Sequence, residues 1–451
     1  MNLEIVVLAA GKGTRMRSNI PKVLHKLAGK PMLQHVLDSS TQLSPQQVTI
    51  VYGFAGDQVQ AQIADTNIGW VEQAEQKGTG HAVEQALPRI GSDSKVLILY
   101  GDVPLISVET LSGLLDKVNS DSSIAVLTCE LQNPQGYGRI VRDTENKVVG
   151  IVEQKDATKT QQNINEINTG IMVIPAVLLQ QWIPGLSSDN AQGEYYLTDI
   201  VELAANQGID ICTHQPNSVY EIEGINSRLQ LAKLERIHQL NLSERYMNLG
   251  VTFADPARVD IRGELTTGID IVVDINVVFE GVVKLGDGVE IGPNCVIKDS
   301  IIGDNTKIHA NSILDQAKVA SDCLVGPFAR LRPNAELGTG AKVGNFVEIK
   351  KSYIGEGSKV NHLAYVGDAT LGSRVNVGAG TITCNYDGKN KFNTILKDDV
   401  FIGSNSALVA PVTIAEGATI AAGSTITKDV PSSSLGIARG KQRNVDGWKK
   451  P

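Results

Sequence analysis

Aromatic residues make up only 4 % of the 451-residue sequence, and no Trp stands between Trp182 and Trp448. A core built between those positions must be filled with small aliphatic side chains. Cysteine is scarce too. Cys129, Cys212, Cys295, Cys323 and Cys384 are odd in number, widely scattered and without a C-x-x-C pair, which argues against a disulfide framework and a structural zinc site. There is no basic excess. The formal charge of −8 has the wrong sign for a surface that must displace phosphate counterions, so general nucleic-acid binding is excluded. No apolar run reaches the length of a membrane span. Met1–Ala10 lacks the basic start and long apolar stretch of a secretory signal. The expectation is a cytoplasmic protein with neither membrane nor nucleic acid as partner. What is present in ordinary amounts, 42 % apolar and 20 % charged residues, belongs to a globular chain. At about 150 residues per domain the length suggests two or three.

The two halves differ in glycine, with 20 of the 44 in the first 250 residues and 24 in the remaining 201. Residues 1–225 alternate short apolar strands (Ile5–Ala9, Val48–Tyr52, Val96–Tyr100) with helical patterns such as Thr79–Leu87 and Val108–Val118. Strands of this kind divided by helices indicate a mostly parallel, Rossmann-like α/β sheet covered on both faces. Residues 226–250 turn helical, with Leu231, Leu234, Ile237 and Leu242 recurring every three to five positions, and read as a linker helix.

Residues 251–440 follow a period of six. Val325, Leu331, Leu337, Val343 and Ile349 form one uninterrupted run, and Ile402, Leu408, Ile414, Ile420 and Ile426 another. Gly often follows the aliphatic residue, as in Ile291-Gly292, Val343-Gly344 and Ile402-Gly403. Neither a helix nor an ordinary strand has that period. A chain coiling around a triangular prism does, with six residues per side and one aliphatic residue pointing inward. The pattern resembles the hexapeptide-repeat left-handed parallel β-helix, and the handedness comes from that resemblance alone. Val377 and Ile402 are one residue out of phase, and the polar, turn-prone stretch Thr383–Phe392 between them reads as a loop ejected from the prism. Residues 441–451 form a C-terminal tail.

The first chemically suggestive feature is the strand Ile5–Ala10 running into Gly11-Lys12-Gly13-Thr14-Arg15-Met16, with Pro21-Lys22 beyond. Glycines let backbone N–H groups approach phosphate, and Lys or Arg neutralises its charge. Met16 breaks the dinucleotide pattern G-x-G-x-x-G, and the Gly-Lys-Ser/Thr of a P-loop is missing. Alone, the loop reads equally well as a tight strand-to-helix turn. Leu8–Met16 with Pro21-Lys22 closely resembles, however, the signature of the sugar-phosphate nucleotidylyltransferases. Three further stretches match in order: Gln73–His81, Tyr100-Gly101-Asp102 and Glu223–Asn226. Within that group the sequence is most similar to the bifunctional N-acetylglucosamine-1-phosphate uridyltransferases/glucosamine-1-phosphate N-acetyltransferases, and the likeness continues to the C-terminus.

The resemblance implies that a sugar 1-phosphate attacks the α-phosphorus of UTP and expels pyrophosphate. The nucleophile is already an anion, so the reaction needs positioning and charge neutralisation rather than a base. By resemblance Leu8, Ala9, Ala10 and Gly11 belong to the nucleotide site. Arg15 and Lys22 hold phosphates, Asp102 and Asn226 hold Mg²⁺, and Tyr100 and Gly101 flank them. Gln73, Gly78 and Thr79 would read the base, since a Gln amide can both donate to a uracil carbonyl and accept from its N3–H. Gly138, Glu153 and Asn168 map onto the sugar contacts.

A second site is implied on the prism. His362 lies between the repeat positions Val360 and Val366, where packing alone would be an adequate role. Arg332 and Lys350 are separated by three sides of six, one full coil, and so share one outer edge. They read either as a phosphate clamp or as a solvated charged face. The resemblance favours acetyl transfer from acetyl-CoA to glucosamine 1-phosphate, with neutral His362 as the base that deprotonates the amine and Glu348 orienting it. Arg332, Lys350, Tyr365, Asn376 and Lys391 would hold the amino-sugar phosphate. Ala379, Asn385, Tyr386, Ser404, Ala422 and Arg439 would bind acetyl-CoA. Cys384 has no basic neighbour in sequence and reads as inert. The resemblance further implies a homotrimer and a product, UDP-N-acetylglucosamine, destined for peptidoglycan and lipopolysaccharide precursors. Two rival readings are a monofunctional sugar-1-phosphate nucleotidylyltransferase with a structural or regulatory β-helix, and a non-enzymatic rod carrying a degenerate nucleotide domain.

Overall fold

The computed structural model describes residues 2–63 and 67–450. The chain forms two compact units that divide between Ile237 and His238. In the first, the main strands run in the order Asp210–His214, Ser123–Glu130, Glu166–Pro175, Ser94–Tyr100, Asn2–Leu8, Gln47–Tyr52 and Ile68–Glu72. Pairing is parallel except at Glu166–Pro175, which is antiparallel to both neighbours. A hairpin of Arg139–Arg142 and Val148–Val152 pairs off that strand. Alternation sends Ile5 and Val7 to one face, packed with Leu33, Val36, Leu111 and Leu114. Val6 and Leu8 turn to the other, against Val83, Ala86, Leu179 and Ile200. Both faces are therefore covered, as a parallel sheet requires.

The Asn2–Leu8 strand lies between Gln47–Tyr52 on one side and Ser94–Tyr100 on the other. The chain fills one side first and then reverses to the other. At such a switch point the connections leave in opposite directions, and a crevice opens beyond the carboxyl end of the central strand.

A helix, Arg228–Asn248, occupies the segment read as a linker helix over residues 226–250. The division between units falls inside it. Leu234 is buried with Leu27, Met32 and Ile225 of the first unit. Farther along, the Tyr246 hydroxyl donates to the Leu265 carbonyl at 2.7 Å, and Gln239 brackets the backbone of Ile261 through both atoms of its amide. Each half is thus anchored in its own unit. No helix among the described residues is long and apolar enough to cross a membrane.

The second unit is a parallel β-helix. Its short strands stack into three columns, each strand pairing with the one a single coil later, as in Val325↔Val343 and Val343↔Val360. The period-six residues form the core, with Val325, Leu331, Ile349, Ile402, Leu408, Ile414 and Ile420 all 0 % exposed. Val377 and Ile402 remain in register although the chain between them is longer than the other coils. The extra length leaves the prism as a hairpin closed by the Tyr386–Lys391 bridge. Thr383 and Cys384 stay in a strand, so the ejected segment is shorter than the expected Thr383–Phe392.

Two expectations follow. Ile402→Ala should lower the stability of the second unit by about 2–5 kcal/mol in denaturant unfolding; a loss under about 0.5 kcal/mol would mean that the coil closes over the gap. In the first unit, burial pushes the Asp199 carboxyl up to about 6, with Glu202 and Asp156 adding repulsion. Its folded value exceeds its unfolded one, so its stabilising contribution is complete below about pH 4 and disappears as pH rises through about 6. Asp199→Asn should therefore flatten the fall in melting temperature over that window. Equal slopes in the two proteins would refute this assignment.

Candidate active sites

The crevice of the first unit is a cavity of about 240 Å³. It is lined by Leu8, Ala9, Ala10, Gly11, Lys22, Gln73, Gly78, Thr79, Tyr100 and Asp102, all expected there, together with Val23, Gln76, Ala82 and Glu194. Lys22 is the centre of its polar end. Its ammonium donates to Asp102 Oδ2 at 2.5 Å and to Asn226 Oδ1 at 3.0 Å. These two side chains come from segments far apart in the chain, joined by the bond from the Ile225 N–H to the Asp102 carbonyl.

Tyr100 closes one wall of the cavity. Burial, reinforced by the charges of Glu153 and Asp102, pushes its hydroxyl well above the usual phenol range, so it remains neutral. Its ring lies against Gly170, whose φ is +87°; a Cβ there would stand 2.6 Å from the ring. Gly138, Glu153 and Asn168 meet on the same side. The Asn168 N–H donates to the Gly138 carbonyl at 2.9 Å, and Glu153 Oε1 accepts from the Thr198 hydroxyl at 3.2 Å. Burial raises the Glu153 carboxyl pKa, the Thr198 bond opposing and Asp156, Asp199 and Glu194 adding to the rise.

Two expectations are modified here. Gln73 is 3 % exposed, and both hydrogens of its Nε2 are already placed, one on the Gly78 carbonyl at 3.0 Å and the other toward His81 Nδ1 at 3.1 Å. Only its carbonyl oxygen is left for a base, so the expected two-way amide contact reduces to acceptance from an N–H. Arg15 sits exposed in the turn Thr14–Met16 and is not part of the cavity wall. The sequence reading also missed the segment around Glu194. Its Tyr195 carbonyl accepts from Gly80 N–H at 2.8 Å, and Leu197 N–H donates to Thr79 at 3.1 Å, tying this segment to the start of the Thr79–Ala86 helix.

On the β-helix, His362 is exposed and its Nδ1 lies 2.6 Å from Asn345 Oδ1. The expected orienting role of Glu348 is not what the structure contains: Glu348 accepts from Arg332 at 2.7 Å. Register is the reason. Asn345 pairs with His362 one coil on, whereas Glu348 pairs with Tyr365. This coil is one residue shorter than three full sides of six, and counting back from His362 by the shorter coil would have found Asn345. Asn345 Oδ1 can only accept, so in its neutral form the imidazole carries its proton on Nδ1 and keeps its lone pair on Nε2. Tyr365 folds over Gly367, where a Cβ would collide with the phenol. Arg332 and Lys350 share an edge, since Arg330–Leu331 pair with Glu348–Ile349.

The expected acetyl-CoA residues divide in two. Ala379, Ser404 and Ala422 stack on one corner by the register Val377↔Ile402↔Ile420, and Arg439 donates to the Ala422 carbonyl at 2.8 Å. Asn385 and Tyr386 belong to the hairpin, which also carries Lys391, expected at the sugar phosphate. Asn385 is buried and one N–H of its Nδ2 is committed to Asp368 Oδ2 at 2.6 Å, which leaves its carbonyl oxygen and a second N–H. Asn376 pairs with Phe401 on the neighbouring coil.

Residues 5–159 match the MobA-like NTP transferase domain, and residues 283–316 and 393–428 match the bacterial transferase hexapeptide repeats. The chain is 56 % identical over 449 residues to the "Bifunctional protein GlmU" of Marinobacter nauticus, covering 100 % of this chain and 99 % of that protein. Among solved structures, UDP-glucose pyrophosphorylase complexed with UDP-glucose is 17 % identical, with a TM-score of 0.44 over 53 % of this chain and 98 % of that one. A nucleotidyl transferase from Methanothermobacter thermautotroptrophicus is 16 % identical, with a TM-score of 0.39 over 55 % and 99 %. Full-length identity at this level, with a nucleotidyltransferase domain followed by hexapeptide repeats, has one consequence: the chain belongs to the family of bifunctional GlmU proteins, uridyltransferase and acetyltransferase in one polypeptide.

Proposed function

We propose that the His362 edge acetylates glucosamine 1-phosphate from acetyl-CoA, and that the crevice of the first unit then joins the product to UTP, giving UDP-N-acetylglucosamine and pyrophosphate in the cytoplasm. The observation that carries the second half is the convergence of Lys22, Asp102 and Asn226 on one point. Two side-chain oxygens aimed at a single cation suit a Mg²⁺ that takes its remaining ligands from phosphate and water. Here the Lys22 ammonium stands in for that ion. Among the described residues no cluster of three or more His, Cys, Asp or Glu offers an all-protein metal cage, which agrees with a metal that arrives with its nucleotide. Bound there, it would neutralise the triphosphate.

Uridylyl transfer is then a matter of placement. Gly11 N–H and Lys22 would hold the phosphates, Gln73 Oε1 would accept the uracil N3–H, and Gly138, Glu153 and Asn168 would fix the sugar. A phosphate oxygen of the sugar attacks the α-phosphorus, the bond to the β-phosphate breaks, and no proton moves. Acetyl transfer differs, because an alkylammonium cannot attack a thioester until it is deprotonated. His362 Nε2 takes the proton, Asn345 holds the tautomer that makes this possible, and the coenzyme leaves as a thiol after proton return. Arg332 and Lys350 would hold the sugar phosphate, with Tyr365, Asn376 and Lys391 beside it. Ala379, Ser404, Ala422 and Arg439 would line the coenzyme side with the Asn385–Tyr386 hairpin.

The two halves should separate by mutation. Asp102→Ala is expected to abolish pyrophosphate release while sparing coenzyme A thiol release, and His362→Ala to do the reverse. Loss of both activities in either folded variant would contradict two independent sites.

A homotrimer is also part of this reading, supported by one corner of the prism. Asn276, Asn294 and Asn311 occupy successive positive-φ positions there, linked side chain to side chain. Phe328, Phe346 and Leu363 take over the same column, 49 %, 55 % and 63 % exposed, with the two rings stacked at 5.2 Å. Bulky apolar residues in a left-handed conformation at the surface suit a neighbouring prism rather than water. Light scattering should give three times the chain mass for the native protein and a smaller species for Phe346→Asn. A native monomer would overturn it.

A further inference from the structure

The largest fully buried side chain among the described residues is Arg139, 1 % exposed. Its guanidinium is permanently charged, yet no carboxylate among the described residues pairs with it. Its acceptors are neutral oxygens: the Tyr137 carbonyl for Nη1, and for Nη2 the side chain of Gln154 at 2.8 Å and the Gln162 carbonyl at 3.5 Å. Nε has no acceptor. An apolar side chain would fill that space at lower free energy, since a buried charge and an unmet donor both destabilise. Packing alone does not account for an arginine here.

Its position in the register does. Arg139 pairs with Val152 across the hairpin and with Ile167 of the long antiparallel strand. The three proposed sugar contacts are each one step away: Gly138 precedes Arg139, Glu153 follows Val152, and Asn168 follows Ile167. Gln154, beside Glu153, accepts from Arg139 and also from the Gly136 N–H at 3.0 Å. One planar fork therefore ties the Gly136–Gly138 turn to the Glu153–Gln154 strand end, and Gln162 adds the following loop.

We propose that Arg139, acting through Gln154, is a positioning residue that holds Gly138 and Glu153 at the spacing the sugar phosphate requires. The proposal rests on the assignment of those residues to the sugar. A lysine could supply the charge but not the fork, and so would not substitute.

The test is steady-state uridylyl transfer by the full chain, with KM measured separately for N-acetylglucosamine 1-phosphate and for UTP. Arg139→Met and Gln154→Leu should each raise the sugar-phosphate KM about tenfold and leave the UTP KM within about twofold. Gln154→Glu keeps an acceptor for both donors and should recover most of the affinity lost in Gln154→Leu. An unchanged sugar-phosphate KM in Arg139→Met and Gln154→Leu would overturn the proposal, and so would equal increases in both constants, which mean general loosening. If Arg139→Met does not fold, Gln154→Leu decides alone. Glu153→Gln separates the underlying assignment. Should it leave the sugar-phosphate KM unchanged, the sugar site itself is misassigned; should it raise KM while Arg139→Met does not, only the role of Arg139 fails.

Discussion

Parallel backbone pairing is the constraint on which both units depend. Two parallel strands cannot be joined by a tight turn, so each connection must travel back along the sheet before the next strand begins. In the first unit the return path is a helix, and the helices close both faces. In the second it is two further sides of the prism, and the return path is itself sheet. Either way the backbone groups are satisfied inside a rigid frame. What is left free is the set of strand ends in one case and the outer edges of the coils in the other, and the candidate sites lie there.

In the first unit the frame converts distance in sequence into proximity. Lys22 follows the Asn2–Leu8 strand, Asp102 the Ser94–Tyr100 strand, and Asn226 precedes the Arg228–Asn248 helix, yet one ammonium meets both oxygens. The same frame makes the proposed sugar end a three-segment junction built over Arg139. A buried guanidinium without a carboxylate is a thermodynamic liability, and in the proposed reading it is tolerated because it sets the geometry of the sugar contacts. The two ends use charge differently. Around Lys22 charges face a cavity and are balanced by one another, while at Arg139 one charge is enclosed and acts through neutral oxygens.

In the β-helix the register replaces topology as the organising fact. The length of each coil decides which side chains become neighbours, and a difference of one residue changes the partner. That is why His362 meets Asn345 and Glu348 meets Arg332. The inward residues tolerate no such freedom, because a one-residue slip would turn an aliphatic side chain to water and a polar one into the core. The hairpin after Cys384 shows how extra chain is accommodated: it leaves at a corner and the stack closes beneath it.

Architecture and chemical inventory were already contained in the chain of residues. The six-residue aliphatic period and its pairing with glycine are local properties, set by what fits inside a narrow prism, and alternating apolar strands and helical stretches are equally local. The glycine loop with Lys22, and the stretches containing Gln73, Asp102 and Asn226, are contiguous motifs that resemblance can read, and the full-length relative assigns them to the same family. The pairings arose only on folding. That Gln73 spends its N–H₂ on Gly78 and His81, that Arg15 stays outside the cavity, that Asn345 rather than Glu348 holds the histidine, and that Arg139 joins three segments all depend on contacts between distant positions. Hydrophobic period reports which face a residue occupies, but a hydrogen bond depends on tenths of an ångström between groups whose separation no local pattern encodes.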